Sequence, residues 1–403
     1  MPSAVAEVAG RPHRVLILSH HGRTIRGGAP LADTELARAL EGHGHTVDLL
    51  FYDDVLPPAV TATWRQLVFP WAAAFAFLRH YLRNGRAARW DVIESTAGDA
   101  WVIDLLLRLL PGPRPLLSVR THGLENRRAA MDQERRRREG VRTGLLTRLY
   151  HFHYRLWEVA RDLRRAGVVF LLNQEDARWA TDRMGVPAAK IHVLPNGLPD
   201  RMLTLPEPEA TPDRSFHLLF LGAWSLAKGV DVLPRIAARL FAADPRYRLT
   251  CAGTGETVDQ VLADFAPEDR DRVTVVTRYG WEELPALLAA HGIFLFPSPA
   301  EGCSLALLEA MAGGLAPVTT RTGYGADLIE TGRNGYLAEA GDVEGYTAAV
   351  RALADRASDP DTALAVGRQA RRDVADHSWT SLAAERVRIW DSLCASSSSP
   401  TPR

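Results

Sequence analysis

Short, wholly apolar runs alternate along most of this chain with longer segments of mixed polarity. Residues 15–19 read Val-Leu-Ile-Leu-Ser, residues 116–119 Leu-Leu-Ser-Val and residues 168–172 Val-Val-Phe-Leu-Leu. With residues 47–51 and a shorter pair at 92–93, they predict strands of a parallel sheet covered on both faces, because strands with two buried faces need no polar alternation. A Gly-rich loop ending at Gly27-Gly28-Ala29-Pro30 follows the first run, then a helix over about residues 31–40 and a turn at 42–45. A second alternating set has its strands at 218–221, 249–252, 273–276, 293–296 and 316–318. Residues 207–213, rich in Pro, Glu and Thr, read as a linker between the sets. The pattern predicts an α/β chain of two doubly wound domains, 1–205 and 206–379, with a cleft between them. Ligands of such sheets bind at the carboxyl ends of the strands.

Size agrees with two domains: 403 residues with 46% hydrophobic positions exceed what one core usually holds. The formal net charge is zero, which argues against nucleic acid as a partner. Cys251, Cys303 and Cys394 form neither a disulfide framework nor a metal spacing, and suit a reducing cytoplasm. Residues 1–13 hold no continuous apolar run, so no secretory leader is expected. The Ser- and Pro-rich residues 396–403 read as a disordered tail. Residues 67–78 are apolar and aromatic but too short to span a bilayer. They read as a core helix or, with Arg65, Arg79 and Arg83 flanking them, as an interfacial one. The run Arg135 to Arg138 reads as a solvated helix face, with an anionic acceptor or a peripheral membrane contact as the alternative.

The densest candidate chemistry lies at residues 301–314, Glu-Gly-Cys-Ser-Leu-Ala-Leu-Leu-Glu-Ala-Met-Ala-Gly-Gly. Ser304 is a suitable N-cap, so a helix starts there with its first amides turned toward the strand ends. Such a terminus suits the charge of a diphosphate. Glu309 stands among apolar residues, where a carboxylate needs a partner; two adjacent hydroxyls, as on a ribose, would serve. Glu301, in the loop before, is placed for hydroxyls beyond the phosphates. A capping carboxylate and an ordinary exposed Glu are the plainer alternative. Lysine is used only at Lys190 and Lys228, and Lys228 follows the strand at 218–221 at the expected start of a helix, a good position for a phosphate ligand. Arg120 and His122 follow the strand at 116–119, where a histidine could bind a sugar hydroxyl or support developing charge. No Asp-x-Asp loop with the context of a metal site emerges; Asp53-Asp54 follows a strand without further support.

These residues together resemble the retaining glycosyltransferases of family 4. The resemblance rests on Pro195-Asn196-Gly197, Phe220-Leu221-Gly222 with Lys228-Gly229, Pro297-Ser298, the segment 301–314 and Gly332-Arg333-Asn334-Gly335. It runs from about residue 14 to 390 and is stronger in the second half. It implies a GT-B architecture of two Rossmann-like domains, the first binding the acceptor and the second a nucleoside-diphosphate sugar, UDP at the family level. A last helix, about 380–395, would return to the first domain. By motif position Glu309 would hold the ribose, Glu301 the transferred sugar and Lys228 the diphosphate, with Gly27, Gly28, Gly222, Gly302, Cys303, Ser304 and Leu305 lining the donor. Arg120 and His122 would serve the acceptor side, and His122, Lys228 and Glu301 the chemistry. No cofactor or metal is implied. Two departures stand out. Ala223 stands where the family has an arginine, so that one phosphate-binding charge is missing or is replaced by Arg120 or another arginine, and Cys303-Ser304 replaces the common Phe-Gly. A sugar-nucleotide epimerase, a phosphorylase and a non-catalytic sugar-nucleotide-binding protein are the alternatives.

Overall fold

The computed structural model describes residues 11–23, 28–57, 62–85, 89–138, 140, 144, 148–209, 211, 213–354 and 362–397. The chain forms two compact units. The first comprises Met1–Gly197 and Trp379–Arg403, the second Leu198–Ser378.

The first unit is a six-stranded parallel sheet: β1 (Arg14–Ser19), β2 (Thr46–Phe51), β3 (Val92–Thr96), β4 (Leu116–Arg120), β5 (Val168–Leu171) and β6 (Ile191–Val193) in the order β2-β1-β3-β4-β5-β6. Alternate side chains supply two separate cores, as the two-residue period of a strand requires. Leu16, Leu18, Ile93, Val119 and Val169 face one way, toward helices Ala62–Asn84, Trp101–Leu109 and Leu156–Arg165. Val15, Ile17, Val92, Val168 and Phe170 face the other way, toward helices Gly28–Gly42 and Trp379–Ser397. The C-terminal helix packs on Gly28–Gly42 and buries Ala383, Val387 and Trp390 there.

The second unit carries β7 (His217–Leu221), β8 (Arg248–Ala252), β9 (Val273–Val276), β10 (Ile293–Phe296), β11 (Ala316–Thr320) and β12 (Tyr336–Ala338) in the order β12-β11-β10-β7-β8-β9. Numbered from β7 and read from the β9 edge, this is the 3-2-1-4-5-6 arrangement of the doubly wound dinucleotide-binding fold. Its central strands β7 and β10 are almost wholly buried.

Four expectations change. The first helix begins at Gly28, not 31, with Pro30 in its first turn, where a missing amide costs no hydrogen bond. The boundary between units falls at Gly197, and the stretch after it belongs to the second unit. Arg371 pins that stretch by donating to the carbonyls of Leu205 and Pro206. Residues 67–78 are part of a longer helix, Ala62–Asn84, that buries Phe69, Ala73, Ala74 and Phe77 and exposes Trp71 and Phe75. The short edge strands β6 and β12 were not anticipated.

Candidate active site

In the second unit the strand order reverses between β7 and β10, and loops leaving the carboxyl ends of such neighbours part to leave a crevice. The Lys228 loop follows β7 and the Glu301 loop follows β10. Lys228 Nζ donates to Glu301 Oε1 at 2.6 Å. Ser298 Oγ donates to the same oxygen at 2.7 Å and lies 2.8 Å from the Ala227 carbonyl. The Lys228 ammonium also lies over the Phe296 ring. Lys228 sits in the short 3-10 turn Leu226–Lys228, ahead of the helix Leu233–Ala243, not at that helix's first residue as the sequence suggested. The reason is Gly229: at φ 76° it turns the chain, and any side chain there would meet the Pro297 carbonyl.

The segment 301–305 is fixed from the other side. Tyr324 N donates to the Gly302 carbonyl at 2.8 Å, and Gly323, at φ 56°, lies against the Glu301 and Gly302 carbonyls. Gly302 and Cys303 are buried; Glu301, Ser304 and Leu305 are partly exposed. Ser304 caps the helix Leu305–Ala312, accepting from Leu307 N at 3.3 Å.

Glu309 lies in that helix, 7% exposed. Burial pushes its carboxyl up to about 7, and Arg201 offsets this only in part. Beside it, Tyr279 is raised by burial and by the Glu309 charge, and packs over Gly253. The turn Gly253–Gly255 after β8 is joined to the β7 loop by Trp224 N, which donates to the Thr254 carbonyl at 2.8 Å. The sequence reading passed over this turn, although two glycines two residues apart after a strand were a usable signal. Gly222 adjoins Lys228, and Ala223 is exposed beside it.

The first unit has its own cluster, where order reverses between β1 and β3. His20, after β1, and Asp99, after β3, join through the His20 Nδ1 at 2.9 Å. His122, after β4, lies 3.2 Å from Asp33 Oδ1, and Asp33 is fully buried in the first helix. Arg120 bonds the same Asp33 oxygen and approaches Glu94 at 3.5 Å; Arg386 bonds Glu94 in turn. Arg120 is therefore committed to buried carboxylates and does not supply the charge missing at Ala223. Gly28 opens the first helix; Gly27 lies outside the described residues.

Asp33 Oδ2 is buried without a hydrogen-bond partner. Despite burial, Arg120 and His122 hold the Asp33 carboxyl well below the usual carboxylate range. His21 is held down to about 3, first by burial and then by His20 and His122, so it is neutral at physiological pH. The donor atoms of His21, Asp33 and His122 lie within 4.8 Å of one another, a spacing open to a metal ion. With Arg120 already on Asp33, the cluster is better suited to orienting His122. The sequence reading missed Asp33, a carboxylate among apolar helix positions like Glu309. Asp53 and Asp54 are both engaged by Arg23.

Asp33→Asn should destabilise the first unit by roughly 3 kcal/mol, since it strips a buried arginine of its main counter-charge. The sign with pH follows from the lowered carboxyl. Asp33's contribution is fully present above about pH 4, its unfolded titration range, and is lost as pH falls through the lower folded value. Urea denaturation of parent and variant at pH 7 and pH 3 checks both statements.

The two doubly wound units define a protein of the GT-B fold. Sucrose-phosphate synthase from Thermosynechococcus elongatus has the same fold, with a TM-score of 0.73 at 18% identity over 95% of this chain and 100% of that one. Residues 26–201 match Glycosyltransferase Family 4 and residues 215–356 match Glycosyl transferases group 1. Together the matches take in well over half of the chain, which belongs to the family 4 glycosyltransferases. Among its relatives, the MMP alpha-(1->4)-mannosyltransferase of Mycolicibacterium hassiacum is 26% identical over 95% of this chain and 98% of that protein. The glycogen synthase of Mycobacterium tuberculosis is 30% identical over 230 residues, 55% of this chain and 53% of that protein. The matched part thus spans about half the length of that relative.

Proposed function

We propose that this protein is a cytoplasmic glycosyltransferase that moves a hexose from a nucleoside-diphosphate sugar to a hydroxyl acceptor, with retention of configuration and without a metal. The observation that carries the reading is the Lys228–Glu301–Ser298 constellation at the β7/β10 reversal, with the buried Glu309 inside the helix that directly follows the Glu301 loop. Glu309 receives the two ribose hydroxyls. Lys228 turns from Glu301 to the diphosphate, and the released Glu301 accepts from hydroxyls of the transferred sugar. The bond between the sugar's anomeric carbon and the diphosphate breaks, and the acceptor oxygen bonds that carbon on the same face. Its proton passes to a diphosphate oxygen. The protein's task is then to hold the partners in place and stabilise the leaving charge, for which an ammonium and the amides of a capped helix suffice. His122, held by Asp33, serves a hydroxyl of the transferred sugar. The mannosyl- and glucan-forming names of the relatives agree with a hexose donor.

A thermal-shift screen of UDP-, GDP-, ADP- and dTDP-hexoses in the presence of EDTA tests this reading. One of them is expected to raise the melting temperature, since a ligand that binds only the folded state stabilises it, and to yield a glycoside of unchanged anomeric configuration. If no sugar nucleotide stabilises the protein, the reading fails.

A further inference from the structure

The helix Ala62–Asn84 carries two apolar faces; the core takes up one, and of the other it meets Trp71, whose ring lies edge-on to Trp101. On the other, Trp64, Val68, Trp71, Phe75, Leu78 and Leu82 recur at alternating steps of four and three residues, the spacing that keeps side chains in one stripe. The stripe is open: Phe75 is 68% and Leu82 72% exposed. The neighbouring helix Trp101–Leu109 packs alongside and extends it with Leu105 and with Leu109, 81% exposed. The Ala62–Asn84 helix has no acidic residue, whereas Arg65, Arg79 and Arg83 border the stripe. On the adjoining helix Asp104 is paired with Arg108 and Arg161.

We propose that this face docks on an anionic lipid surface, the helix lying in the plane of the headgroups with its tryptophans at the interface. Charge selects this occupant. The stripe has the spacing of a coiled-coil seam, but Arg65 and Arg79 hold the flanking positions that in a stable pair carry opposite charges. A second copy of this helix brings no acidic residue to pair them, whereas a bilayer with acidic headgroups neutralises them. Tryptophan, phenylalanine and leucine beside arginine form the composition of an interfacial helix. No described helix is long and apolar enough to cross a membrane, so the contact is peripheral. The proposal does not depend on the transfer reading.

The test is flotation of the full chain with phosphatidylcholine vesicles and with mixed phosphatidylcholine–phosphatidylglycerol vesicles. The protein is expected to float with the mixed vesicles, and brominated acyl chains to quench its tryptophan emission. Phe75→Ser with Leu82→Ser should weaken recovery at least about tenfold, since the apolar area that enters the interface sets the affinity. Arg79→Gln and Arg83→Gln should each cost about fivefold, on mixed vesicles only. Melting temperatures equal to the parent's confirm that the variants fold. Failure of the parent to float, or equal flotation by the Phe75/Leu82 variant, overturns the proposal. A concentration-dependent dimer that the same two substitutions abolish, without vesicle binding, assigns the stripe to a second copy and overturns it too.

Discussion

Replacing Glu309 by glutamine is expected to make the second unit more heat-resistant at pH 8 and nearly unable to retain a sugar nucleotide. The two effects share one cause. Burial raises the Glu309 carboxyl from 4.5 to about 7, so the folded chain holds this proton more tightly than the unfolded one. Stability from this group is complete below about pH 4.5 and is lost as pH rises toward 7. Above pH 7 the ionised side chain costs on the order of 3 kcal/mol. Glutamine removes that cost while keeping shape. In the proposed complex it would also remove the acceptor of two charge-assisted hydrogen bonds from the ribose, each worth about 1.5–3 kcal/mol, so affinity should fall at least about a hundredfold. In the parent, affinity should increase between pH 6 and pH 8 as the carboxylate forms; in Glu309→Gln it should stay flat. Calorimetric titration across that range, with melting curves at pH 8, tests both halves. A variant that binds as the parent does would remove Glu309 from the site.

Lys228→Ala should give the second large effect, on turnover more than on folding. The pair with Glu301 is partly open to solvent, and such pairs contribute about 1 kcal/mol or less to stability. In the proposed transition state the same ammonium faces a departing diphosphate, where one preorganised charge is worth roughly 3–4 kcal/mol, a fall in kcat of about 10²–10³. Glu301→Gln should also impair transfer. The double substitution should cost slightly more than the two single effects combined, because each single change also spares the cost of parting the pair, about 1 kcal/mol or less. Single-turnover rates for the four proteins test this; strict additivity would mean that the ion pair has no part in the reaction.

Much of this arrangement could be read from residue order, and what could not has a physical explanation. Strands β7 and β10 are unbroken apolar runs because both of their faces are buried, and Ser304 and Glu309 were legible as an N-cap and a carboxylate among apolar neighbours. The edge strands β6 and β12 are three residues long and partly exposed, too short for a periodicity to develop. Lys228 and Glu301 were each singled out, but residues 73 apart meet only because β7 and β10 pair, which no local pattern encodes. Asp33 has a helical setting like that of Glu309, but its role is set by Arg120 and His122, which come from β4 and the turn after it and leave no mark in the local sequence. Arg120 was misjudged because exposure cannot be read from position after a strand: its partners, Asp33 and Glu94, come from other segments.

The contact of Gly229 with Pro297 has a consequence for the speed of the catalytic cycle. Backbone meets backbone there, Ser298 spans to the Ala227 carbonyl, and the 323–324 turn holds Glu301 and Gly302 from behind. The loops bearing Lys228 and Glu301 are therefore tied to each other by backbone and side-chain contacts. Parting the ammonium from the carboxylate takes side-chain torsions and the loss of one ion pair, a smaller motion than loop opening, which takes nanoseconds to microseconds, or domain motion, which takes microseconds to milliseconds. The proposed handover of Lys228 from carboxylate to diphosphate would thus keep pace with any donor that diffuses in, leaving slower events to set the turnover rate.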